Sequence, residues 1–259
     1  MKSTASIAAL SAIPTVSASQ ERNARKSEKV HQAALRVLEK TNDLEQFYSF
    51  LANHGFTFGR KTTKIDTPAH VLKEQSGSAS GNVSTMESGY QPKDNVELDV
   101  SLQYDTYADK YYGQANWHWT SQTLSPPDVI GLTYKENSWS VPQNGYSSST
   151  YASLDTESRS ANGYAWKYND GEDTLEQPNA YNYATLTLNP YDESISDSDR
   201  TIWMVYTANS SPYPAYIDGI GIGYGALSVD VSPTVEQDTW IEDNSGDELK
   251  ISAADAQPI

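Results

Sequence analysis

Hydrophobic and polar residues repeat with two different periods along this chain, and the change of period divides it. Between residues 22 and 40, Val30, Ala34, Val37 and Leu38 fall on one stripe of a helix, the spacing of an amphipathic segment. Leu44, Phe47, Tyr48 and Leu51 form a second stripe. Asn42 and Glu45 stand at capping-box spacing before it, and His54-Gly55 closes it. The glycine suits a left-handed cap and the histidine suits the helix dipole. The pattern predicts a helical hairpin that must pack its stripes on something else. Residues 56–65 read as a strand leading to the body.

From Val96 the period becomes two. Val96, Leu98, Val100 and Leu102 alternate with Glu97, Asp99, Ser101 and Gln103. Tyr111, Gly113, Ala115, Trp117 and Trp119 alternate with Tyr112, Gln114, Asn116 and His118. Such alternation predicts half-buried strands with the polar set on a solvated outer face. Further strands are expected over 129–134, 148–152, 164–168, 183–188, 202–207 and 217–231, the last dividing at its glycines. Turn-rich gaps separate them, with no helical period between. The fold class predicted is mainly β: an antiparallel β-sandwich or jelly roll preceded by a small N-terminal helical hairpin. The expected layout is a signal peptide over 1–18, the hairpin plus strand over 19–65, and a flexible linker over 66–94. A β-sandwich over 95–235 and a solvated acidic tail over 236–259 follow, with Trp240-Ile241 as an edge strand.

Charge sharpens this division. Residues 19–64 carry nine basic side chains against five acidic ones, whereas the whole chain has a net charge of −16. The body beyond is therefore strongly negative, which disfavours nucleic acid and anionic lipid surfaces. Apolar residues make up only 37% of the chain, and 18 Tyr and 6 Trp supply much of the large side-chain area. There is no cysteine, so no disulfide, thiolate metal site or cysteine nucleophile is expected. Lys2, an apolar stretch from Ala5 to Ile13 and Val16-Ser17-Ala18 resemble a short leader with a small-residue cleavage site. The expected location is extracellular or at the cell surface. No later apolar run is long enough for a membrane span.

The candidate chemistry is sparse. Asp170, Glu172 and Asp173 bring several hard oxygens to one glycine-containing loop, which makes calcium the one cofactor to consider there. Tyr112, His118, Trp139 and Trp166 are the candidate ligand-binding residues, as rings of an aromatic platform for a sugar. Glu97-x-Asp99 resembles the start of the E-x-D-x-x-E signature of jelly-roll glucanases. Leu102 stands where the third acid belongs, and a retaining glycosidase needs two carboxyls about 5–5.5 Å apart across its substrate. The four histidines have no zinc-binding spacing, and no nucleophile elbow or phosphate-binding loop occurs.

In composition and layout the chain resembles exported haloarchaeal acidic β-sandwich proteins. That resemblance brings no functional residues with it; it implies secretion and adaptation to high salt. The leading expectation is a non-catalytic binding domain whose partner is a glycan or a surface protein. The alternatives are a glycoside hydrolase-like jelly roll using Glu97 and Asp99, and a secreted factor whose basic N-terminal segment masks the acidic body.

Overall fold

The computed structural model of the protein describes residues 18–64, 96–119, 128–169, 180–209, 216–223, 225–232, 239–241 and 249–258. The chain begins with two helices, α1 (Ala18–Thr41) and α2 (Leu44–Asn53). Both predicted stripes are used: Ala34, Leu38, Leu44, Phe47, Tyr48 and Leu51 are buried together. The cap of α2 differs from the expected one by a residue. Asp43 accepts hydrogen bonds from the backbone of Glu45 and Gln46, while Asn42 takes a left-handed φ of 52° that turns the chain between the helices. At the other end Gly55 has φ 87°, the geometry expected of it.

Fourteen strands follow among the described residues. The first sheet contains β1 (Phe56–Lys64), β2 (Val96–Asp105), β3 (Lys110–Trp119), β5 (Trp139–Ser140), β6 (Tyr146–Ser148) and β9 (Tyr181–Pro190). Its order is β1-β2-β3-β9-β5, with β6 also paired to β9. The second contains β4 (Asp128–Tyr134), β7 (Ala152–Leu154), β8 (Gly163–Tyr168), β10 (Thr201–Asn209), β13 (Thr239–Ile241) and β14 (Lys250–Ser252). Its order is β13-β10-β4-β8-β7, with β14 also paired to β10. All these pairings are antiparallel. Leu98, Val100, Leu102 and Trp117 of one sheet meet Ile130, Trp166, Ile202 and Met204 of the other in a single core. The fold is therefore an antiparallel β-sandwich, as the alternation predicts.

Each sheet also has a covered outer face. The helical hairpin lies on the first sheet, burying Phe56, Tyr112 and Tyr183. A β-ribbon, β11 (Tyr216–Gly223) and β12 (Ala226–Ser232), pairs only with itself and packs on the second. Leu227, Ile220 and Ile222 cover Val129, Ala165 and Val205 there. Gly131 makes this approach possible, because a Cβ on it would stand 2.7 Å from Leu227 Cδ1. The glycine-rich run is thus an added layer rather than strands of the sandwich.

Two further expectations are corrected. Residues 148–152 hold a turn between β6 and β7 instead of one strand. Within the expected solvated tail over 236–259, the described residues 249–258 are anchored: Leu249, Ile251, Ala253 and Ala256 belong to the sandwich core. A short helix α3 (Ala253–Ala256) carries the last two of these, with a capping box between Ser252 and Asp255. The Thr57 hydroxyl donates to the carbonyl of Ala256 at 2.5 Å, tying this end to β1.

Candidate functional site

The outward positions of β2 and β3, read from sequence as solvent-facing, lie under the helical hairpin. Asp99, Ser101, Gln103, Gln114 and Asn116 are all buried. Asp99 is 1% exposed. One of its oxygens accepts from Tyr48 Oη at 2.8 Å and Asn116 Nδ2 at 2.9 Å. The other accepts from Arg60 Nε at 2.5 Å and Thr62 Oγ1 at 2.8 Å. Arg60 continues to Glu45 at 2.5 Å and lies 4.7 Å over the Tyr48 ring. A buried carboxylate needs this degree of pairing to remain charged. Burial, and then the charge of Asp99, push the Tyr48 phenol well above its ordinary range, so Tyr48 acts as a donor.

That carboxylate orients a chain of amides. Because it only accepts, Asn116 must present its NH2 group. Gln114 Nε2 then donates to Asn116 Oδ1 at 2.6 Å, and Gln103 Nε2 donates to Gln114 Oε1 at 3.1 Å and to Ser101 Oγ at 3.0 Å. His31 of α1 completes the line, its Nε2 donating to Gln103 Oε1 at 2.8 Å. His31 stacks on Tyr112 with ring centres 4.2 Å apart, and Tyr112 Oη meets Ser27 Oγ at 2.9 Å. Burial lowers His31 to about 4, against the opposing hydrogen bonds to Gln103 and Gln114. Its ring is neutral at pH 7, with the proton on Nε2.

This arrangement joins helix to sheet. The neighbouring acid, Glu97, accepts from Tyr181 Oη at 3.1 Å and lies 3.6 Å from Lys64 Nζ. Neither Glu97 nor Asp99 lines one of the clefts found among the described residues.

The proposed aromatic platform is not built from Tyr112, Trp139 or Trp166. All three are buried, at 2%, 4% and 0% exposure. Tyr112 faces outward on its strand, but the hairpin covers it. Trp139 and Trp166 point between the sheets. His118 is partly buried and stacks on Tyr181 at 4.7 Å. Asp170, Glu172 and Asp173 lie outside the described residues. Among the described residues, no cluster of three or more His, Asp or Glu side chains could hold a metal ion.

Open space lies at the two ends of the hairpin. A cleft of about 410 Å³ sits beside Glu39, Asn42, Tyr151 and Tyr181. Another, of about 350 Å³, is bounded by the start of α1, the end of α2 and the β2–β3 turn, with Asn23, Lys26, Asn53, His54, Asp105 and Tyr107 on its walls. Tyr107 is 75% exposed. Sequence reasoning passed over it because it stands in a turn rather than in the alternating pattern. An aromatic residue in the tight turn joining two strong strands was the available signal.

No protein-family model and no curated protein matches this chain. Four chains of solved structures do match. One is the pilus backbone of Streptococcus pneumoniae, at 10% identity and a TM-score of 0.32. That match covers 44% of this chain, and this chain spans only 27% of that one. Another comes from a structure concerning pH-induced modulation of Streptococcus parasanguinis adhesion by Fap1 fimbriae, at 13% identity and a TM-score of 0.31. It covers 67% of this chain and 86% of that one. These superpositions are loose and carry no function over to this protein.

Proposed function

We propose that this chain is a non-catalytic binding domain, located outside the cell or at its surface and adapted to high salt, whose ligand is a glycan or a surface protein. The observation that carries this reading is the state of Asp99. It stands where the enzyme alternative needs a reactive carboxylate, yet four protein donors occupy it beneath a packed hairpin. Its four hydrogen bonds occupy the acceptor sites of both oxygens and leave none open to a substrate. The leader-like first residues and the net charge of −16 support the proposed environment.

The test is a glycan array run at high salt, beside an assay for polysaccharide release. Saturable binding without release is expected. Release that is lost when Glu97→Gln and Asp99→Asn are combined would overturn the reading in favour of a glycosidase.

The masking alternative draws support from the hairpin lying over the outer face of the first sheet. Against it, β1 pairs with β2 along nine positions, so loss of residues 19–64 would strip a strand from the sandwich. Mass spectrometry of the mature protein separates the two readings.

A further inference from the structure

We infer that the cleft between α1, α2 and the β2–β3 turn binds a neutral pyranose stacked on Tyr107; this rests on the binding-domain reading and assigns it a site and a ligand class. Tyr107 and Tyr191 are the large hydrophobic side chains left exposed among the described residues, at 75% and 64%. Only Tyr107 borders one of the described clefts. Its ring lies directly on the α-carbon of Gly55, where a Cβ would come within 2.2 Å of ring atom Cε2.

The turn that carries the ring is held from several sides. Asp105 Oδ1 accepts from the backbone N–H groups of Tyr107 and Ala108 at 2.8 and 3.2 Å. The backbone N–H and hydroxyl of Thr106 both donate to the Gly55 carbonyl, at 3.3 and 2.9 Å. Asn23 Nδ2 reaches the Tyr107 carbonyl at 3.4 Å. A turn held in place before the ligand arrives loses little freedom on binding.

The chemistry of the walls selects the ligand. An aromatic face is negative at its centre, and a pyranose offers a face of weakly positive C–H bonds to meet it. Its rim of hydroxyls needs mixed donors and acceptors, which the Asn23 and Asn53 amides supply together with the Lys26 ammonium. The volume of about 350 Å³ is within the range of small-ligand sites. Lys26 brings one positive charge to the walls and Asp105 one negative. The two charges offset each other, so the walls offer an anionic sugar little net attraction.

The test uses saturation-transfer NMR and calorimetry on the full chain with cellotetraose, maltotetraose and mannotetraose, and with tetragalacturonate as the anionic arm. At least one neutral sugar is expected to bind, with saturation strongest on one face of a ring and little dependence on salt. Tyr107→Ala should weaken binding about tenfold or more with an unchanged circular dichroism spectrum, while Tyr107→Phe retains it. Gly55→Ala, which drives the ring off its seat, should weaken binding while Tyr107 itself remains. Failure of every neutral sugar to bind, binding only of tetragalacturonate, or equal binding by Tyr107→Ala would each overturn the inference. A glycan that binds Tyr107→Ala as well as the parent leaves the binding-domain reading standing and removes this site. An empty glycan array alongside specific binding of a purified surface protein does the same.

Discussion

The Tyr48 hydroxyl of α2 donates to the Asp99 carboxylate of β2 at 2.8 Å, joining residues 51 positions apart. This contact ties the helical preface to the sandwich. With Arg60, Thr62 and Asn116 it makes a buried negative charge tolerable, and that charge orients the amides leading to His31.

Removing the carboxylate should therefore cost more than removing any one of its neutral donors. Asp99→Ala leaves Arg60, Tyr48, Thr62 and Asn116 without their shared acceptor, and a loss of about 3 kcal/mol is expected. Tyr48→Phe deletes one donor and should cost about 1–2 kcal/mol. Urea unfolding midpoints at pH 7 check both. Equal, small losses would show that the network does not hold the hairpin down.

Stability should fall with acid over a defined window. His31 is lowered to about 4 in the folded protein from an ordinary value of 6.5, chiefly by burial. Between these values the unfolded chain binds the proton and the folded one does not, so folding is progressively penalised as pH drops. The full contribution is present above about pH 6.5 and is lost by about pH 4, amounting to about 3 kcal/mol. His31→Gln should flatten the curve in this window. Thermal melts of both proteins at pH 7, 5.5 and 4 provide the comparison.

Gly55 meets two demands, a left-handed φ of 87° and contact with the Tyr107 ring. Gly55→Ala should cost about 1–2 kcal/mol in chemical denaturation. Gly223, whose added Cβ would find nothing nearer than 3.8 Å, should tolerate alanine far better.

The end of the chain offers a contrast with any reading of it as a loose tail. Ile251 is 2% exposed within the sandwich core. Ile251→Ala should cost about 2–4 kcal/mol, whereas a solvated position would change stability by about 0.5 kcal/mol or less. Differential scanning calorimetry distinguishes the two outcomes.

Much of the scaffold was legible in the sequence. The stripes of α1 and α2, the turn at Gly55, and the inward set Leu98, Val100, Leu102 and Trp117 all follow from periodicity, because a side chain's direction is fixed by backbone geometry. The site was less legible. Alternation separates Asp99, Gln103, Gln114 and Asn116 from the apolar set, but it does not say what covers them. Polar side chains under a packed helix look the same in sequence as polar side chains in water. Tyr112, Trp139 and Trp166 failed as a platform for the converse reason: aromatic residues serve equally well as core or as surface.

The amino-acid order by itself determined the pleated sandwich, its helical preface and the sign of its charge, since these depend on neighbours along the chain. Only the folded arrangement decided that the hairpin would roof the polar strand faces, that the C-terminal residues would enter the core, and that Tyr107 would stand fixed beside a cleft. Each of these depends on partners distant in sequence, whose burial and hydrogen bonding exist only once the chain has closed upon itself.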